Sequence, residues 1–190
     1  MTTQTRARLK LLGVAMVFIG PLALAYLLYY GLSFGAAGTN GGELIDPAMQ
    51  VPNVTLTDAA GEQLPSGQLF ERKWTILQVA PGGCGDACIE SLKETRQIRA
   101  LLHRRATRVQ RVLLTDERPL PAMPEQPDLS LYSAPVAPFN AMFESQGATT
   151  PGTVYLVDPL GNWMLYYPPG GDGSALFKDV KHLLKLSHIG

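Results

Sequence analysis

The chain has 190 residues, and 46% of them are hydrophobic, which is enough for one globular domain with additional segments. Sixteen basic and 16 acidic side chains give a formal net charge of zero, so no strong field attracts nucleic acid. The sequence contains no glycine-rich phosphate-binding motif either, and we expect no nucleic-acid partner.

The amino-terminal 34 residues differ from the rest in charge. Arg6, Arg8 and Lys10 are basic, and none of residues 11–34 is charged. A run of this length can span a hydrocarbon core of about 30 Å as a helix. Because the basic residues precede the run, we predict a cytoplasmic amino terminus over residues 1–10 and one transmembrane helix over 11–34.

This orientation carries the remainder of the chain across the membrane. The predicted location is therefore the bacterial inner membrane, with a single pass and a carboxy-terminal domain in the periplasm. A cleaved signal peptide is the alternative, but its apolar core is usually about 7–15 residues long. The longer run favours an uncleaved anchor, while small residues at 35–38 provide a sequence that a signal peptidase can cut.

A linker and the first strands follow this segment. Residues 35–50 are rich in glycine, alanine and polar residues and indicate a linker, so we predict the domain over 51–190. Alternation over 54–57, followed by the turn signal Asp58-Ala59-Ala60-Gly61, predicts a strand that enters a hairpin. The apolar run 74–80 predicts a central strand.

The rest of the domain alternates between helical and strand patterns. We predict these elements in chain order: an amphipathic helix over 87–105, a strand over 109–114, a short strand over 129–132, a short helix over 138–145, two hairpin strands over 153–157 and 163–167, and a final helix over 174–186. Alternating strands and helices predict an α/β fold with a central mixed sheet and flanking helices.

The two cysteines of the chain lie four residues apart, at Cys84 and Cys88. They lie where the central strand passes into a helix, and the unpaired N–H groups at a helix start stabilise a thiolate. Asp86 between them opposes thiolate formation. The spacing places both sulfurs on one side of a helical turn, where they can form a disulfide or hold one soft ion such as Cu(I).

A structural disulfide is the alternative interpretation of the pair. Closing a loop of about five residues stabilises a domain by only about 2 kcal/mol in the chain-entropy model. A domain of this size has an ample core without that contribution, so a reactive or metal-binding pair is favoured.

A copper carrier needs a further soft ligand, and the sequence gives no clear one. His103 is about 22 Å from Cys88 if both lie on one helix. His182 and His188 lie in or after the last helix, away from the cysteines. The thioethers of Met142 and Met164 are the remaining candidates, although both positions suit core packing.

Several of these features together resemble the Sco/SenC family of cytochrome c oxidase assembly proteins. They are the amino-terminal anchor, the strand 74–80 that runs into Cys84-x-x-x-Cys88, and Tyr155-Leu156-Val157-Asp158-Pro159-Leu160-Gly161. The resemblance covers residues 50–186. It implies a thioredoxin-like domain, in which the proline before the strand at 153, Pro151, is a candidate cis-proline of the active site or a plain turn proline.

The resemblance also implies a function. Members of this family bind copper through both cysteines and a histidine, and they deliver copper to cytochrome c oxidase subunit II or reduce its cysteines. Cys84 and Cys88 match the cysteines and are the implied Cu(I) ligands, but the histidine position falls near Thr150. The sequence therefore lacks the family's copper-binding histidine, which leaves thiol chemistry better supported than tight copper binding.

Three hypotheses follow from the sequence. The first is a membrane-anchored Sco-like factor that acts in oxidase assembly by thiol–disulfide exchange or Cu(I) handling, with subunit II or another assembly factor as its partner. The second is a general extracytoplasmic thiol–disulfide oxidoreductase without a link to copper. The third is a non-catalytic docking module. Under the first two, Cys84 attacks, Cys88 resolves the intermediate, and Pro151 lies beside them.

Overall fold

The chain divides into two compact units, Met1–Thr39 and Asn40–Gly190. The computed structural model describes four stretches of them: residues 3–30, 41–123, 125–187 and 189. In the first unit, helix α1 (Thr3–Tyr30) includes Pro21 in its interior. Of the predicted span 11–34, residues 31–34 lie outside the described residues. No helix in the described stretches is both long enough and apolar enough to cross a bilayer.

The second unit is a sheet with helices. The described strands are β1 (Glu43–Gln50), β2 (Thr55–Thr57), β3 (Gln63–Pro65), β4 (Trp74–Ala80), β5 (Val109–Thr115), β6 (Leu129–Ser133), β7 (Val154–Val157) and β8 (Asn162–Tyr167). The α-helices of this unit are α2 (Ser66–Phe70), α3 (Asp86–Leu101), α4 (Ala137–Glu144) and α5 (Gly173–Leu186), and a 3-10 helix (His103–Arg108) follows α3.

All eight strands form one mixed sheet in the order β1-β8-β7-β4-β5-β6-β2-β3. Strands β4, β5 and β6 are parallel neighbours, whereas β7 pairs with β4 in the antiparallel direction. Ala80 at the end of β4 pairs with Thr115 at the end of β5. The sequence prediction of an α/β fold with a mixed sheet and flanking helices is confirmed, and the segments after β4 and β5 meet at one edge.

Each face of the sheet has its own core. Leu77 of β4 packs in a cluster with Phe139 and Phe143 of α4, on one face. Ile76 of β4 packs on the other face, in a cluster that includes Ile98 of α3 and the apolar side of α5. Because successive residues of a strand point to opposite faces, β4 is buried from both sides, as its apolar sequence predicts.

The sheet begins earlier than the sequence predicts, because the carboxy-terminal part of the predicted linker 35–50 forms the edge strand β1. This strand pairs with β8, and Ile45 is its one buried side chain. The N–H groups of Gly41 and Gly42 each donate to Oδ2 of Asp179, at 2.9 Å. These bonds fix the start of β1, whose polar composition had suggested a linker.

Helix α3 is shorter than the predicted 87–105. It ends at Leu101, and His103 adopts a left-handed conformation with φ of 49° before the 3-10 helix. The side chain of Arg99 donates from Nε to the carbonyl of Val109, at 2.9 Å. This bond links the last turn of α3 to the start of β5, so the chain turns where the helical pattern alone would continue.

Candidate redox site

The cysteines lie on the connection from β4 to α3. Strand β4 ends at Ala80, and α3 begins at Asp86 after Gly85. The N–H of Gly83 donates to the carbonyl of Ala80 at 3.2 Å and closes a tight turn. Gly82 and Gly83 have φ of 68° and 104°, a conformation that side-chain-bearing residues rarely adopt. The glycines therefore allow the turn that presents Cys84.

Two carboxylates from the end of β5 hold this turn. Oδ1 of Asp116 accepts a hydrogen bond from the N–H of Gly82, at 2.7 Å. The carboxylate of Glu117 lies against Gly83 so closely that a methyl group on Gly83 would collide with it. Sequence reasoning missed both residues. The signal available was their position after β5, because neighbouring parallel strands end at the same edge of a sheet.

Cys84 and Cys88 form a disulfide, with their Cα atoms 5.2 Å apart. Cys84 is half-buried in the turn, whereas Cys88 in the first turn of α3 is only 6% exposed. The structure thus brings the predicted pair together at the start of a helix that follows a central strand. Cys84 is therefore the more exposed residue of the pair.

An apolar cluster surrounds the buried sulfur. Cys88 packs with Ala80, Leu92 and Leu113, and Met123 contacts the same cluster from the segment after β5. These side chains cover most of Cys88, which keeps only a small exposed surface.

A buried arginine fixes the helix that carries Cys88. Arg111 of β5 is 1% exposed and donates to the carbonyl of Leu92 at 2.5 Å, to Oγ1 of Thr95 at 3.2 Å and to Oδ1 of Asp128 at 2.8 Å. Burial lowers the pKa of Arg111, and the neighbouring carboxylate of Asp128 partly offsets that effect. The guanidinium stays charged at neutral pH, so the network locks α3 onto the sheet.

The segment before β7 packs against the first turn of α3. Gly152 has φ of 88°, and a Cβ atom there would lie 2.8 Å from the carbonyl oxygen of Ala87. The carbonyl of Thr150 accepts hydrogen bonds from the N–H and Oγ1 of Thr153, at 3.0 and 2.6 Å. This backbone approach places the segment that contains Pro151 beside the first turn of α3.

The peptide bond of Pro151 is not cis. The cis bonds in the described part of the chain precede Pro47 and Pro119. Pro151 is therefore a turn proline, which was the alternative in the sequence prediction, because the hydrogen bonds between Thr150 and Thr153 close a turn there. Its role in the site is unaffected by this correction and stays a prediction.

A cleft of about 500 Å³ opens between the cysteine helix and this segment. Cys88 and Pro151 line it, together with the side chains of Asp86, Glu144 and Tyr155. Among the residues that the structure describes, both charged members of the lining are acidic, and the lining includes no Lys, Arg or His. Glu144 comes from α4, more than 50 residues after the cysteines, and sequence reasoning missed it.

Tyr155 forms one wall of the cleft and stays neutral. Burial raises the pKa of its hydroxyl well above the usual value, although a hydrogen bond with Thr153 opposes the shift slightly. The hydroxyl donates to the carbonyl of Ala148 at 2.5 Å, and the ring stacks on Phe143 with centroids 3.7 Å apart. Tyr155 is therefore a rigid wall rather than a proton donor in the cleft.

The other predicted ligands lie elsewhere. Met142 packs in the α4 core, and Met164 packs against the cluster on the opposite face. His103 and His182 are exposed on the 3-10 helix and α5, and His188 lies outside the described residues. In the part of the chain that the structure describes, no group of three or more His, Cys, Asp or Glu side chains can hold a metal ion.

The donor set does not fit a three-ligand Cu(I) site. Besides Cys88, the cleft offers oxygen donors from residues such as Thr149, Thr150 and Glu144, and its described lining includes no imidazole or thioether. Cu(I) prefers soft sulfur and imidazole ligands over such oxygens. The described lining of the cleft therefore adds no soft third ligand to the two cysteines, whose thiolates become available only after the disulfide has been reduced.

Two family models match the chain. One, described as "Transmembrane-like, thioredoxin-like, C-terminal domain", matches residues 74–187, and the other, "Transmembrane-like, N-terminal domain", matches residues 2–31. Among curated proteins, none matches this chain.

Solved structures with a similar fold include three Sco proteins. Copper-bound yeast Sco1 superposes with a TM-score of 0.58 at 16% identity over 74% of this chain and 95% of its own. Apo Sco1 from Thermus thermophilus gives 0.57 at 22% identity, over 78% of this chain and 99% of its own. BsSco, described with a disulfide switch and as a member of a cytochrome c oxidase assembly family, gives 0.52 at 13% identity, with coverages of 76% and 99%.

At these identities the likeness establishes the fold, while the family match rests on the longer of the two matched segments. This chain belongs to the transmembrane-like, thioredoxin-like family, and its domain has a Sco-like thioredoxin fold.

Proposed function

We propose that this protein is a membrane-anchored Sco-like factor that acts by thiol–disulfide exchange at Cys84 and Cys88 during assembly of a respiratory oxidase. The observation that carries the proposal is the disulfide at the start of α3, with Cys84 half-buried in the turn and Cys88 only 6% exposed where it lines an open cleft. A pair with one accessible and one shielded sulfur suits exchange through a mixed disulfide.

The exchange proceeds in two steps. In the reduced protein, the thiolate of Cys84 attacks one sulfur of a partner disulfide, forms a mixed disulfide and releases the partner's other sulfur as a thiolate. The thiolate of Cys88 then attacks Cys84, restores the Cys84–Cys88 bond and releases the partner's second thiolate. Two electrons pass to the partner, and each released thiolate takes a proton from solvent. The reverse sequence oxidises a partner dithiol.

The neighbouring charges and the start of helix α3 have opposite effects on thiolate formation at the cysteines. The unpaired N–H groups at the start of α3 favour a thiolate, since Gly85 gives the helix no side-chain cap. The carboxylates of Asp86, Asp116 and Glu117 near the turn oppose it. The absence of a basic residue in the cleft lining leaves the helix start as the main stabilising group there.

The partner and location follow from the family match and the similar folds. The match of residues 2–31 to a transmembrane-like domain, together with the uncharged run over 11–34, supports membrane association with the domain in the periplasm. BsSco, which shares the fold, is described as belonging to a cytochrome c oxidase assembly family. We therefore propose cytochrome c oxidase subunit II or another oxidase assembly factor as the partner.

Copper handling is the second candidate function. It is favoured by copper in the yeast Sco1 structure of the same fold, and opposed by the oxygen-rich donor set of this cleft. Anaerobic titration of the reduced full-length protein with Cu(I), in the presence of a competing chelator, separates the two. We expect binding that the competitor removes, while stoichiometric and competition-resistant binding would establish copper as the cargo.

Trapping of mixed disulfides tests the assignment of roles. The Cys88→Ser protein should accumulate a mixed disulfide with its partner through Cys84, whereas the Cys84→Ser protein should form none. The two variants are matched controls, because each removes one sulfur and abolishes the internal disulfide. Trapping by Cys84→Ser through Cys88 would reverse the assignment, and no trapping by either variant would favour the docking-module alternative.

The identity of the trapped protein distinguishes a role in oxidase assembly from general thiol–disulfide exchange. An oxidase subunit or assembly factor identified by mass spectrometry supports the proposed pathway. A broad set of unrelated extracytoplasmic proteins would instead identify a general thiol–disulfide oxidoreductase.

A further inference from the structure

Gln78 is a buried polar residue in the otherwise apolar strand β4. Its side chain is 3% exposed, and its Nε2 atom has no hydrogen-bond partner. In the described part of the chain, the one other buried side-chain nitrogen or oxygen without a partner is Nε1 of Trp74. Buried polar groups in native proteins are almost always paired, so an unpaired amide donor in this strand requires an explanation.

The sheet register places Gln78 beside the cluster that encloses Cys88. Gln78 pairs with Leu113 across the parallel β4–β5 ladder, and paired residues share a face. Ala80 lies two residues further on the same face. Ala80, Leu113 and Leu92 form the cluster around Cys88. The Gln78 side chain therefore lies on the sheet face that the first turns of α3 cover.

We propose that Gln78 is a positioning residue whose Nε2 donates a hydrogen bond to the sulfur of Cys88 when the disulfide opens. In the oxidised protein this sulfur is bonded to Cys84 and is a weak acceptor. After reduction it becomes a free thiol or thiolate on a residue that is only 6% exposed, and such a sulfur accepts a hydrogen bond from a protein donor within reach. The unpaired amide of the oxidised state is the donor that is available.

This inference rests on the proposed redox function and predicts how Gln78 shifts the equilibrium between the disulfide and the dithiol. A hydrogen bond made only in the reduced state stabilises the dithiol relative to the disulfide. Gln78 therefore raises the reduction potential of the pair and makes the protein a weaker reductant than the same fold with an apolar residue at this position.

Equilibration of the full-length protein with glutathione tests the proposal. In this reaction the Cys84–Cys88 bond breaks, two glutathione thiols become one glutathione disulfide, and their two electrons and two protons give the dithiol protein. We expect Gln78→Met, which keeps the side-chain length, to lower the equilibrium constant for reduction at least tenfold, or about 30 mV.

Trp74→Phe is the matched control. It removes the other unpaired buried donor from the same strand face, but Trp74 packs in the cluster with Ile98 and away from Cys88. We expect its equilibrium constant to stay within twofold of the wild type. A change of less than twofold in Gln78→Met, or the same change in both variants, would overturn the role of Gln78.

A second measurement uses the wild-type protein and therefore does not depend on the folding of a variant. In NMR spectra of the wild-type protein, the side-chain amide of Gln78 should shift on reduction, whereas the indole N–H of Trp74 should not. An unchanged Gln78 amide would contradict the proposal. If instead the wild-type pair does not equilibrate with glutathione buffers at all, the proposed redox function itself is wrong, so the two failures are distinguishable.

Discussion

Replacement of Gly152 by alanine tests whether the close approach of this residue to the cysteine helix shapes the site. Two separate effects destabilise the variant. An alanine at φ of 88° costs about 1–2 kcal/mol, because its Cβ approaches the carbonyl oxygen of its own peptide unit. In addition, the new Cβ would lie 2.8 Å from the carbonyl oxygen of Ala87, and the forced displacement costs about 1–3 kcal/mol.

Gly147 provides the matched control. It has φ of 68°, but a Cβ atom there meets nothing within 4 Å. The free energy of unfolding of Gly147→Ala should therefore decrease only by the conformational cost, about 1–2 kcal/mol. That of Gly152→Ala should decrease by about 2–5 kcal/mol in total. For a chain of this size, that total corresponds to a decrease in Tm of roughly 4–20 °C.

Thermal unfolding of the oxidised full-length protein, followed by circular dichroism in the same detergent for all variants, measures the difference. Ala87 lies between the two cysteines, so the displacement should also reduce partner trapping in the Cys88→Ser background. Equal stabilities of Gly152→Ala and Gly147→Ala would refute the inference that the contact with Ala87 determines the packing of the cleft.

Two further predictions concern buried charges and tyrosines. Asp128→Asn should lower the free energy of unfolding by about 2–4 kcal/mol in urea titrations, because it leaves the buried charge of Arg111 without its carboxylate; Glu90→Gln, which breaks an exposed ion pair, should change it by less than about 0.5 kcal/mol. Burial raises the pKa of Tyr155, and burial with the hydrogen bond to Asp179 raises that of Tyr167. The stability from these two groups is present below pH 10 and is lost at higher pH, where the unfolded tyrosines ionise first. Ionisation of Tyr155 and Tyr167 should then coincide with unfolding in spectrophotometric titration, and their ionisation near pH 10 in the folded protein would contradict this.

The elements that the sequence predicts well are those whose patterns have one interpretation. The apolar run of β4 and the turn between β7 and β8 have no competing pattern, and both occur as predicted. Strand β1 was assigned to the linker because it is an edge strand with one buried side chain, Ile45, and a proline, Pro47. An edge strand needs little apolar sequence, since its stability comes from pairing with its one neighbour.

Only the part of the site that is formed by residues close in sequence could be predicted. Cys84 and Cys88 are close in sequence, and Cys84 lies in the turn directly before α3, so their meeting depends on local backbone geometry. Asp116 and Glu144 reach the site from β5 and α4, and their arrival depends on sheet order, which the sequence pattern does not determine. Gln78 did leave a signal, as the one amide in an apolar run, but its unpaired state is a property of the packed structure.

The central claim is that the cysteine pair cycles between a disulfide and a dithiol. The most direct test is to equilibrate the full-length protein across a series of thiol–disulfide buffers, to alkylate the free thiols of Cys84 and Cys88, and to measure the reduced fraction by mass spectrometry. We predict one two-electron transition at a potential above about −300 mV. A pair that stays oxidised in buffers well below that potential would be a structural disulfide, and the redox function would be wrong.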